Sequence, residues 1–171
     1  MPLGADALRF VLAQGVPARI EVAGRSMEPA IALGAKVDVT ALADGDALAP
    51  GDVVLVATDG DGLVLHRVMA AFDEGAERLV VHQGDARPST FAIAARRDVL
   101  ARVTGLAGGA GPAPTPELLA PDARALYRRR RAAVDGFLAA RRFARALGLA
   151  DGRVVRRCAQ VYRRLARVFT G

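Results

Sequence analysis

The sequence has no tryptophan, and aromatic residues make up only 5% of it, so any core must be built from Val, Leu, Ile and Ala. A single cysteine, Cys158, excludes an internal disulfide framework and a cysteine-based metal site. Histidine occurs twice, at positions 66 and 82, and lysine once, at position 36. Proton-accepting side chains for neutral-pH chemistry are therefore few. No apolar run reaches the roughly 18 residues of a membrane-spanning helix. The opening MPLGADALRFVLAQG is too polar for a secretory signal and lacks a basic flank before an apolar stretch. The expectation is a cytoplasmic protein, or one peripheral to the cytoplasmic membrane. No cofactor and no metal are expected.

What is present divides near residue 110. The 171 residues suffice for one domain with a real core and an appendage. The first part reads as strands. Ala18–Val22 and Lys36–Thr40 alternate, while DVVLVA at 52–57 is an apolar run short enough for a buried strand. Leu63–Met69, Arg78–His82 and Val99–Leu106 follow the same logic. Leu33-Gly34, Ala49-Pro50-Gly51, DGDG at 59–62 and Glu74-Gly75 supply the turns, and DGDG between apolar runs signals a hairpin. Residues 5–14 form a short leading helix. The fold class expected is mainly β: a curved, barrel-like antiparallel sheet over 1–106.

A Gly/Pro/Ala-rich stretch at 105–117 has no periodicity and reads as an exposed tether, with 107–116 as the linker proper. Residues 117–171 read as basic and helical. Leu119, Leu126, Val134, Phe137 and Leu138 lie near helical spacing in Pro116–Leu147. In Arg153–Phe169, Val154, Val155, Cys158, Val161, Tyr162, Leu165, Val168 and Phe169 make an apolar stripe with arginines on the other faces. Three partners suit this segment: an anionic membrane surface, nucleic-acid phosphates, or the β domain itself. Nucleic acid is the weakest of these as a function, because no helix-turn-helix precedes the β domain.

The chemistry centres on GRSMEPAI, residues 24–31. Ser26 stands between a glycine-containing turn and a Met-Glu-Pro that stops regular structure. As a nucleophile it needs a base within hydrogen-bond reach and donors for an oxyanion; otherwise it is a turn residue. His66, in the apolar LVLHRVM, is either a satisfied half-buried histidine or that base. Lys36 opens a strand ten residues after Ser26 and is the poorer base. Arg67 points to the face opposite His66 and reads as structural or solvated. Asp52 caps a turn, and Cys158 packs on the last helix.

The order GRSMEPAI, VDV, PGDVVLV, LHRVM, HQGDA and ARVTGL resembles the signal-peptidase and repressor-autoprotease superfamily of serine peptidases, in its Ser/His branch, which includes the endoplasmic-reticulum-type signal peptidases. The likeness covers roughly residues 15–106. It implies Ser26 as nucleophile, His66 as general base and Asp85 as the acid that orients the histidine. It also implies an oxyanion site at the turn Gly24, Arg25 and Ser26, with the Ser26 N–H as donor, and a substrate-facing apolar surface at Met27 and Pro29. Gly84 would permit the turn that presents Asp85. His82 occupies a place where the family commonly holds a basic residue, and its alternation with Val80 suggests that it faces solvent. The function implied is a serine endopeptidase that cleaves precursor or leader peptides after small residues. Two departures leave an alternative, a catalytically weak or inactive relative that binds peptides or regulates. Gly24 stands where many members have a hydroxyl, and ARPSTFAI lacks the second aspartate that often follows the Gly-Asp pair.

Overall fold

The computed structural model describes residues 4–43, 45–59, 62–86, 91–107, 111–112 and 121–147. After helix α1 (Ala5–Ala13) come strands β1 (Ala18–Glu21), β2 (Lys36–Ala41), β3 (Val53–Thr58), β4 (Gly62–Glu74), β5 (Glu77–Gln83), β6 (Ala92–Ala95), β7 (Val99–Leu106) and the two-residue β8 (Gly111–Pro112). A long helix, α2 (Pro121–Ala146), follows. The strands form one curled antiparallel sheet in the order β1-β2-β7-β3-β4-β5-β6, with β8 pairing to β7. The fold is mainly β, as expected.

The continuous apolar run in β3 has a simple cause: both faces of that strand are covered. Val53 and Leu55 join α1 residues Leu8 and Leu12, together with Met27, Ile31, Val37 and Val39, in one cluster. Val54 and Val56 face the other way, against Val68, Val80 and Val99. A third cluster seats α2 on the sheet, where Val134, Phe137 and Leu138 pack on Met69, Ala70 and Val81. Their spacing places them on one helical face. Burying such a side chain contributes about 1.5–3 kcal/mol, so α2 is part of the folded body and not a freely tethered segment.

Arginines reinforce that seat. Arg131 donates to the Met69 carbonyl at 2.5 Å, Arg141 pairs with Glu74, and the Arg141 guanidinium lies 5.3 Å from the centre of the Phe72 ring. Arg130, buried, donates to the Asp85 carbonyl at 3.0 Å.

Three details differ from expectation. Strand β4 runs on to Glu74 because it changes partner: it pairs with β3 through Gly62–Arg67 and with β5 through Arg67–Glu74, across a bulge between Val68 and Ala70. Strand β6, a short AIAA, was not expected, and its register is set by pairing with Leu79–His82. The glycine-rich tether begins inside the sheet, since Gly111 and Pro112 pair back onto Leu106 and Gly105. The expected helix at Arg153–Phe169 and the site Leu119 lie outside the described residues.

Candidate active site

The site forms where β5 parts from β4. The ladder between them begins at Arg67↔Gln83, and among the described residues no strand pairs with β4 before Arg67 on that side. The Ser26 turn fills this gap. Glu28 N donates to Arg25 O and Ile31 N to Met27 O, closing a tight helical turn. The Ser26 hydroxyl lies 3.4 Å from the Leu65 carbonyl, a long contact for an O–H donor. From the other side Ala86 N donates to Ser26 O at 2.9 Å. Serine, β4 and the 84–86 loop are thus linked by the Ser26 hydroxyl on one side and a backbone hydrogen bond on the other.

Gly84 is required by this closeness. A Cβ there would lie 2.6 Å from Ser26 O, 3.0 Å from Ser26 Cβ and 3.2 Å from His66 Nε2. The glycine serves close approach. The same distances bring Ser26 and the Nε2 edge of His66 to one point, although 39 residues separate them in the chain.

The other ring nitrogen of His66 does not meet Asp85. His66 Nδ1 is 2.8 Å from His82 Nδ1, and the rings are tilted at 44° with centres 5.1 Å apart. Sheet geometry explains the pairing. His82 is opposite Val68 in the β4–β5 register, and His66 lies two residues before Val68, so the two histidines are diagonal neighbours on one face. His82 is 3% exposed, not solvent-facing as expected. Burial, with a smaller contribution from the charge of His66, lowers its pKa to about 4.

Asp85 is committed elsewhere, which corrects its expected role. Arg67 Nε donates to one carboxylate oxygen at 2.9 Å and Arg67 Nη2 to the other at 2.6 Å. Arg67 is 0% exposed and also donates to Gly51 O. Arg67 follows His66 on β4, so its side chain leaves the opposite face of the strand. Asp85 follows it there. Arg67 is structural, in agreement with one of its two readings.

The remaining expected residues divide. Met27 is 0% exposed and belongs to the core cluster beneath the turn, so it is an anchor and not a substrate-facing residue. Pro29, Gly24 and Arg25 are exposed beside Ser26. Nothing lies within 4 Å of a Cβ placed on Gly24, so the missing hydroxyl at that position is not a steric necessity. Lys36 is exposed at the start of β2. Among the described residues, no group of three or more His, Cys, Asp or Glu side chains could hold a metal ion. Nor is any described helix long and apolar enough to cross a membrane.

No protein-family model, no curated protein and no solved structure matches the chain.

The arrangement has the parts of an acid–base relay. A half-buried serine and an imidazole edge both border Gly84, and the far nitrogen of that imidazole is engaged by a second, buried ring. Sequence reasoning considered His82 but left it outside the catalytic set. Strand alternation suggested that it could face solvent, while β6 and the Val80–Gln83 burial on β5 enclose it. The usable signal was the scarcity of histidine itself: only two are present, and both lie on strands that pair.

Proposed function

We propose that this protein is a serine endopeptidase of the signal-peptidase-like class, with Ser26 as nucleophile and His66 as general base, cleaving precursor or leader peptides after small residues. One observation carries the reading: Ser26 Cβ and His66 Nε2 approach a common point at Gly84, to 3.0 and 3.2 Å. The mechanism follows from the groups present. His66 Nε2 takes the hydroxyl proton as Ser26 Oγ bonds to the scissile carbonyl carbon, and returns it to the leaving amine. The Ser26 N–H, which takes no part in the backbone hydrogen bonds of its turn, is the proposed donor to the oxyanion.

A second reading, a peptide-binding relative with little turnover, draws on the engagement of Asp85 by Arg67. An ionised partner on His66 stabilises the imidazolium more than a neutral ring does. A fluorophosphonate probe separates the two. The peptidase reading requires covalent labelling of Ser26 in the full-length chain, abolished by Ser26→Ala and by His66→Ala, and cleavage of a peptide with alanine before the scissile bond. Peptide binding without labelling or cleavage supports the second reading and removes the first.

A further inference from the structure

We propose that His82, and not Asp85, is the positioning residue of the site: its Nδ1 accepts a hydrogen bond from His66 Nδ1–H and so keeps His66 Nε2 unprotonated towards Ser26. The inference rests on the peptidase reading for its purpose, but its geometry stands separately.

A general base must present a lone pair to the nucleophile. Neutral imidazole has one bare nitrogen, and the proton on the other decides which. His66 Nε2 is the nitrogen on the Gly84 side, 3.2 Å from a Cβ placed there that would also lie 3.0 Å from Ser26 Cβ; for it to serve Ser26 the proton must sit on Nδ1, where it needs an acceptor. His82 Nδ1 lies in reach, at 2.8 Å. Two nitrogens this close share one proton, one donating and the other accepting. Buried between β4 and β6, His82 is held neutral at physiological pH, so its Nδ1 can offer a lone pair. Asp85 cannot easily do the same work, because each of its carboxylate oxygens accepts from Arg67.

The proton accounting closes. When Ser26 Oγ bonds to the carbonyl carbon, its proton moves to His66 Nε2. The imidazolium keeps its Nδ1–H on His82, now as a charge-assisted hydrogen bond. The Nε2 proton then goes to the leaving amine nitrogen as the C–N bond breaks. His82 gains and loses nothing; it acts through His66.

The test uses the full-length chain with 15N-labelled histidine, reading imidazole tautomers from long-range proton–nitrogen spectra at neutral pH, beside the rate of Ser26 labelling by a fluorophosphonate. The wild-type His66 is expected in the Nδ1–H form. His82→Leu keeps bulk without an acceptor and is expected to shift His66 towards Nε2–H and slow labelling about 100-fold. His82→Asn sets an amide oxygen near the lost Nδ1 and is expected to restore both the tautomer and labelling to within about tenfold of wild type. Asp85→Asn is expected to leave the His66 tautomer unchanged. A wild-type His66 carrying its proton on Nε2, or a tautomer that follows Asp85→Asn and ignores His82→Leu, overturns the proposal. An Nδ1–H tautomer that depends on His82, without any labelling of Ser26, upholds the positioning role and removes the peptidase reading instead. If His82→Leu fails to fold, the wild-type and His82→Asn spectra decide.

Discussion

Replacing Asp85 by asparagine distinguishes a structural clamp from a catalytic acid. In the fold, Asp85 neutralises an Arg67 that has no exposed surface, through hydrogen bonds of 2.9 and 2.6 Å. The carboxylate itself is only 13% exposed. Removing one partner of such a pair leaves a buried, uncompensated charge and costs about 3–5 kcal/mol. Asparagine keeps one acceptor oxygen, so the lower end, about 3 kcal/mol, is expected. For a chain of this size that lowers the melting temperature by roughly 6–12 °C. Urea unfolding followed by circular dichroism measures the free-energy loss, and a thermal scan the shift in melting temperature. Adding Arg67→Met should return part of the loss, because an apolar side chain needs no counter-charge. The coupling in the double-mutant cycle should reach about 1–3 kcal/mol. An Asp85→Asn protein within about 0.5 kcal/mol of wild type that has nonetheless lost Ser26 labelling refutes the reasoning. The carboxylate would then be serving His66.

Three further outcomes follow from the same structure. His82 has a folded pKa near 4 against about 6.5 when unfolded, so the unfolded chain binds the extra proton between these values. Stability is therefore fully present above about pH 6.5 and falls with acidification by up to about 3 kcal/mol on reaching pH 4; a His82→Asn protein should show a shallower decline in urea midpoint over that window, and an unchanged slope contradicts the burial argument. Gly84→Ala drives a Cβ to 2.6 Å from the Ser26 carbonyl, so it should cost about 1–3 kcal/mol and slow Ser26 labelling; wild-type values for both would show that the loop is not pressed against the serine. Met27→Ala removes a fully buried side chain from the main core and should cost about 2–5 kcal/mol in urea unfolding; unchanged stability with weaker peptide binding would return Met27 to the substrate surface.

The local pattern determined a good deal. Alternation in Lys36–Thr40 and the apolar run in Val53–Thr58 were enough to read strands, and the DGDG hairpin closes with Thr58 opposite Gly62. Spacing along Val134, Phe137 and Leu138 marked the helical face that meets the sheet. These features depend on neighbours a few residues apart, where backbone geometry forces the periodicity. Ser26 and His66 stood out because serine in an irregular turn and histidine in an apolar strand both need a reason. Only the tertiary structure decided which groups surround them. Whether His66 turns to His82 or Asp85 depends on a diagonal contact across β4 and β5 and on which face of β4 carries Arg67. Met27 became core because α1 and β2 close over the turn. Such relations join residues far apart in the chain, and period-two or period-3.6 patterning within one segment does not encode the partner that another segment brings.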